Sequence, residues 1–150
     1  MWKDNLKKII NEKKMYDEEV NLGASKEEIN KLITKAKEKL GVEIPKEYLD
    51  IISKVNGIEF NGFILYGVDE DLLENEINQN IYGLIDSNQI WYENEEQKKY
   101  LFLGESNISW YVYEYENKSF IELDNPSGGE SNKFNNFYDM FNKLLLDAVM

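Results

Sequence analysis

Tyr100-Leu-Phe-Leu-Gly-Glu-Ser-Asn-Ile-Ser-Trp-Tyr-Val-Tyr-Glu-Tyr-Glu-Asn-Lys-Ser-Phe-Ile-Glu-Leu123 has the pattern of an antiparallel meander. From Ile108 to Tyr115 the side chains alternate: Ile108, Trp110 and Val112 point one way, Tyr111, Tyr113 and Tyr115 the other, which is the period of a strand. Tyr100 to Leu103 reads as the strand before it, with Gly104 to Asn107 as the turn between them. Asn117-Lys118 turns the chain again, and Phe120 to Leu123 returns as the hairpin partner. Downstream, Pro126 to Gly129 is a loop, with a short edge strand near Phe134. The chain closes on a helix whose stripe is Phe137, Met140, Phe141, Leu144, Leu145 and Ala148.

Working back from the meander, the period is helical. Trp2, Leu6, Ile9 and Ile10 make one apolar stripe, broken by residues 17–24. Ser25 and Glu28 have the spacing of a capping box, so a second helix starts there. It carries Ile29, Leu32, Ile33, Ala36 and Leu40 on one face and stops at Gly41. Pro45 opens a third helix, buried through Tyr48, Ile51, Ile52 and Val55 and ended by Gly57. Phe63 to Tyr66, between two glycines, is a short strand, and Asp69 to Gln79 an acidic loop with a helical turn. Ile81 to Gln97 stays open between helix and loop: Ile81, Leu84, Ile85 and Trp91 fit a helix, and Gly83 opposes it. Helices first, then an antiparallel meander, then one helix is an α+β arrangement, expected to form a single domain over residues 1–150.

A chain of 150 residues with 42% hydrophobic and 31% charged residues can bury a core without staples. The sequence contains no Cys, no His and no Arg. That excludes disulfide frameworks, Cys- or His-ligated zinc, thiol nucleophiles, Ser–His–Asp triads and arginine fingers. The net charge of -12 has the wrong sign for a phosphate-backbone binder, so nucleic acid is not an expected partner. The imbalance is local. Residues 1–60 hold 12 Lys and 12 acids, whereas residues 61–150 hold 5 Lys and 17 acids. The later part therefore presents an acidic surface, or else the acids serve only solubility. No apolar run approaches a membrane span and no signal peptide is visible, so a cytoplasmic protein without membrane contact is expected.

Three groups of residues invite a functional reading. Asp69, Glu70, Asp71 and Glu74 are candidate partner-binding acids; with Glu76 they also have the look of a hard-cation site, but Glu74 stands where an EF-hand loop needs glycine, and no metal is expected. Acids ahead of a helix also complement its positive end. Trp91-Tyr92, followed by Glu93, Glu95 and Glu96, pairs aromatic anchors with an acidic fringe, as a hot spot for a basic partner would. Packing of Trp91 in the core explains the same residues. Tyr111, Tyr113 and Tyr115 either lie under a covering helix, the preferred reading, or form a recognition face. Gly128-Gly129 lacks the spacing of a phosphate loop, and no acid pair is singled out for glycoside hydrolysis. No cofactor and no catalytic residue is expected.

The order of these signatures resembles the SUKH superfamily. Ile44-Pro-Lys-Glu-Tyr-Leu-Asp-Ile-Ile-Ser-Lys-Val-Asn-Gly57 is similar to its hallmark, a proline-started helix with an aromatic residue running into Asn-Gly before the first strands. Phe60-Asn-Gly-Phe-Ile-Leu-Tyr-Gly67, Asn88-Gln-Ile-Trp-Tyr92, Leu103-Gly-Glu-Ser106 and Leu123-Asp-Asn-Pro-Ser-Gly128 resemble the YrhA-type branch. The resemblance runs from about Lys26 onward. It implies a central antiparallel sheet flanked by helices and no catalytic motif. It also implies a protein partner: bacterial members are immunity proteins that block polymorphic toxins, often nucleases or deaminases. Fungal relatives regulate cell-wall signalling, so a regulatory domain with an endogenous protein partner is the alternative.

Overall fold

Alternation over residues 100–123 builds the middle of a six-stranded sheet. In the computed structural model, which describes residues 1–74 and 81–150, the strands are β1 (Ile58–Phe60), β2 (Phe63–Leu65), β3 (Tyr100–Glu105), β4 (Ser109–Glu114), β5 (Ser119–Asp124) and β6 (Glu130–Phe134). They pair antiparallel in sequence order, an uninterrupted meander. Helices α1 (Trp2–Met15), α2 (Lys26–Leu40) and α3 (Lys46–Ile52) precede the sheet, α4 (Leu84–Trp91) lies between β2 and β3, and α5 (Phe137–Val149) closes the chain. The fold is α+β, as the segregation of periods predicts.

Register sorts the side chains. Phe102 faces Val112, which faces Ile121, so these three share one side of the sheet. Leu101, Tyr113, Phe120 and Phe134 share the other. Helix α4 packs on the first side, where Trp91 stacks on Phe102 with ring centres 4.8 Å apart. Helix α5 packs on the second, with Phe137 5.8 Å from Phe120 and in turn stacked on Phe141 at 5.9 Å. All six residues of the stripe expected for α5 are buried. Helix α1 lies against α5: Trp2 stacks on Tyr138 at 6.0 Å, and Asn5 donates a hydrogen bond of 2.8 Å to Asn142 Oδ1. The capping box of α2 is formed in both directions, Glu28 N–H to Ser25 Oγ and Ser25 N–H to Glu28 Oε1, and Gly41 closes that helix at φ 70°.

Several boundaries differ from the sequence reading. Helix α3 stops at Ile52; Gly57, at φ 79°, belongs to the turn that launches β1, a strand too short for alternation to reveal. Gly104 is inside β3 rather than in the following turn. A bulge after Phe102 presses it against the Ile64 backbone and Leu144, where no side chain fits. Ile108 precedes β4 and is 58% exposed, so it does not share the buried side of Trp110 and Val112. Ile33, too, keeps 38% of its surface exposed on α2. The open stretch 81–97 resolves into α4 and a 3-10 helix, Glu95–Lys99, with Gly83 as the N-cap of α4 rather than a flaw within it. Glu70–Leu72 is a 3-10 turn; residues 75–80, including Glu76 and the end of the expected acidic loop, lie outside the described residues.

The residues that carry the Asn-Gly resemblance make a structural knot. The Tyr48 hydroxyl, fully buried, donates to the Tyr66 carbonyl, and Asn56 Oδ1 accepts the Val68 N–H at 2.8 Å. Gly67 N–H donates to the Tyr82 carbonyl, and Leu84 N–H donates back to the Gly67 carbonyl. Glycine at the N-cap of α4 has no side chain to offer, so Asp69 caps the helix from across the chain. Its carboxylate accepts the Ile85 and Asp86 N–H groups at 2.9 and 2.8 Å. A Cβ on residue 83 would overlap that carboxylate. Gly83→Ala should therefore cost about 2 kcal/mol, the upper end for a lost cap. In an Asp69→Ala background the same change should cost clearly less, because the carboxylate that the Cβ overlaps is gone and only the approach to the residue 69 Cα at 3.0 Å remains. Urea unfolding of the two single variants and the double variant measures this coupling; fully additive losses would break the link.

Candidate functional site

Helix α4 organises the candidate residues. Its eight residues span about 12 Å. Asp69, Glu70 and Asp71 lie toward its N-terminal end, and Trp91, Tyr92 and the acids after them follow from its C-terminal end. At the first end Asp69, expected among the partner-binding acids, is only 1% exposed and has both carboxylate oxygens committed to the cap, so it presents no surface to a partner. Burial pushes its carboxyl above the ordinary range, although the two amides pull the other way. Glu70, Asp71 and Glu74 are exposed, and the Glu74 N–H donates to Glu28 Oε2 at 3.1 Å, which ties this loop to α2. Among the described residues no three carboxylates converge as metal ligands.

At the second end the aromatics divide. Trp91 is half-buried, stacked on Phe102 and edge-on to Trp110 at 5.2 Å. Its Nε1 donates to the Tyr66 hydroxyl, which donates to Glu105 Oε1. The Trp91 ring is thus part of the packing between α4 and the sheet. Tyr92 is half-buried, and its hydroxyl donates to the Tyr100 carbonyl; burial pushes that hydroxyl up to about 12. Tyr115, one residue beyond β4, lies at the lip of the sheet, with its ring 5.4 Å from Tyr113 and its buried hydroxyl against Tyr92. Tyr113 is half-buried and leans on Phe120.

Tyr92, Tyr115 and Tyr113 therefore form a continuous aromatic row across the lip. Tyr111 does not join it. It is 1% exposed on the side that α5 covers, and burial together with the Glu122 charge pushes its hydroxyl well up. The covering-helix reading describes Tyr111; Tyr113 and Tyr115 keep part of their surface. Glu93, Glu95 and Glu96 are exposed beside the row, as is Glu116 in the β4–β5 turn. Two cations interrupt this fringe: Lys98 pairs with Glu95 at 2.9 Å, and Lys99 lies over the Tyr100 ring at 5.1 Å. The site can present flat aromatic surface within an acidic rim, which suits a partner with basic and apolar groups.

Two polar features have no sequence expectation behind them. Glu122 is 4% exposed; it accepts from the Ser109 hydroxyl and from Asn132 Nδ2, and lies 3.7 Å from Lys143 Nζ, which also pairs with Asp147. Burial opposes the Lys143 charge, but Asp147 and Glu122 hold it above its ordinary value. The second is a hollow between α2 and α4 lined by Lys39, Leu40, Gln89, Tyr92 and Lys98. Only the scarcity of lysine beyond residue 60 could have drawn attention to Lys98.

The profile of one family, described as SUKH_6: SMI1-KNR4 cell-wall, matches residues 30–145, which include α3, α4, the whole sheet and most of α5. No curated protein matches the chain.

Proposed function

Because the chain belongs to the SMI1-KNR4 family over residues 30–145, we propose that it is a non-enzymatic protein-binding module of the YrhA-like, toxin-immunity type. Its partner is a cognate toxin domain of nuclease or deaminase chemistry, which it occludes in the cytoplasm. The observation that carries this reading is the lip: the Tyr92–Tyr115–Tyr113 row with exposed Glu93, Glu95 and Glu96 beside it. A basic active site built for nucleic acid meets there an acidic rim that attracts it over distance and aromatic surface that holds it on contact. Among the described residues, no helix is long and apolar enough to cross a membrane.

The test is binding kinetics with the toxin domain recovered by pull-down from the native cell. Reversing Glu93, Glu95 and Glu96 to Lys together should slow association about tenfold at low salt and flatten its salt dependence, because steering is screened by ions. Glu12, Glu19 and Glu43, all exposed and distributed over the charge-balanced first part of the chain, make the control set. Tyr113→Ala should instead speed dissociation about thirtyfold, the equivalent of a 2 kcal/mol hot spot. Equal effects of the two acidic sets would reduce the acidic region to a solubility device and favour the regulatory alternative.

A further inference from the structure

Only five of the 17 lysines lie beyond residue 60, and one of them meets a lysine of α2 across a concave surface. The hollow between the C-terminal parts of α2 and α4 is an open concavity of about 390 Å³, and its lining is Lys39, Leu40, Gln89, Tyr92 and Lys98. No acid is among the five. Lys39 makes no ion pair among the described residues. Lys98 has only Glu95, in a pair exposed on both sides that a competing anion can displace. The Tyr92 hydroxyl is spent on the Tyr100 carbonyl, so its ring is what it offers the hollow. Gln89 is exposed, with an amide that makes no hydrogen bond among the described residues and so keeps both donors and acceptor available. Leu40 adds apolar wall.

Two ammonium groups, a flat ring, an apolar wall and one unspent amide match the parts of a small molecule that joins an anion to a planar heterocycle. The volume falls within the range of about 300–1,000 Å³ usual for small-ligand sites. We propose that this hollow binds a small organic phosphate with a planar ring, the chemistry of a nucleoside monophosphate. The ring lies on Tyr92 and Leu40, the phosphate between Lys39 and Lys98, and Gln89 hydrogen-bonds the edge of the ring. The hollow shares Tyr92 with the lip, and its Lys98 pairs with Glu95 of the acidic rim, so a ligand there and a partner on the lip use adjoining surface.

Calorimetric titration with AMP, adenosine, phenyl phosphate and inorganic phosphate tests it on the full chain. AMP should saturate with a Kd of about 1 mM or tighter, phenyl phosphate should compete, and adenosine or inorganic phosphate alone should each bind at least about tenfold more weakly. Lys39→Gln and Lys98→Gln should each weaken AMP about tenfold, whereas Lys118→Gln and Lys133→Gln, outside the lining, should leave it unchanged. Tyr92→Phe should retain binding and Tyr92→Leu lose it, with melting temperatures recorded for every variant to exclude loss of fold. Failure of AMP to saturate by about 10 mM, or undiminished affinity in the double lysine variant, overturns the proposal. So does inorganic phosphate or adenosine binding as tightly as AMP, because the site then reads only half of the molecule.

Discussion

A chain ended after Gly129 should show no cooperative thermal transition by far-UV circular dichroism, while the full chain melts sharply. The truncation removes β6 and α5 together. Phe137, Met140, Phe141, Leu144, Leu145 and Ala148 are each at most 2% exposed, and they cover the side of the sheet that carries Leu101, Tyr111 and Phe120. At roughly 1.5–3 kcal/mol for each large apolar side chain, their burial contributes about 10 kcal/mol, as much as the whole net stability of an ordinary domain. The loss extends beyond the sheet. The Phe137 N–H donates to Glu47 Oε2 at 2.8 Å, the Tyr138 hydroxyl donates to Asp50 Oδ2, and Trp2 stacks on Tyr138, so α1 and α3 lose their neighbour as well. Phe141→Ala, a milder form of the same lesion, should cost about 3–5 kcal/mol. A fragment 1–129 that melted at the temperature of the full chain would show that α5 is an appendage.

Asn88→Ala should have the largest effect of any single polar substitution, about 3–5 kcal/mol in urea unfolding, the range for breaking a buried hydrogen-bonded network. Strand β2 pairs with β3 only at Gly104 and Glu105, so the earlier half of β3 has no strand neighbour on that side. Asn88, fully buried on α4, fills the place. Its Oδ1 accepts the Phe102 N–H and its Nδ2 donates to the Phe102 carbonyl, each at 2.8 Å, with a third bond to the Leu84 carbonyl. The carboxamide thus imitates the edge of an adjacent strand. Alanine would leave the Phe102 amide and carbonyl buried without partners, and aspartate, which only accepts when ionised, would oppose the carbonyl with negative charge. Asn88→Asp should therefore be at least as damaging as Asn88→Ala. A loss below about 1 kcal/mol in either would mean that water replaces the amide.

The candidate site was legible where exposure follows from charge. Glu93, Glu95 and Glu96 are solvated acids in the structure, as three acids in four residues suggest. The aromatic residues were not legible in the same way. Trp91 and Tyr92 are adjacent, yet Trp91 is held by Phe102, Trp110 and Tyr66, whereas Tyr92 runs to the lip beside Tyr115. Which of two neighbouring rings turns inward depends on partners 11 to 25 residues away, and no local pattern reports them. Tyr111, Tyr113 and Tyr115 likewise read as one face, but α5 covers only part of that face.

Local patterning specifies the type and order of most elements: three leading helices, the meander from Tyr100 to Leu123, and the closing helix. Periods of 3.6 and 2, a capping box at Ser25 and Glu28 and turn residues such as Gly41 are local physics, readable within one or two turns of chain. Only the folded chain reveals the short strand β1, the place of Gly104 inside β3, and the role of Gly83 as a helix start rather than a helix breaker. Strand β1 pairs locally, Ile58 with Leu65, but is too short for alternation to show; the two glycines depend on contacts distant in sequence, Ile64 and Leu144 for Gly104 and Asp69 for Gly83. Glycine marks places where another part of the chain must come close, but its own neighbours do not say which part.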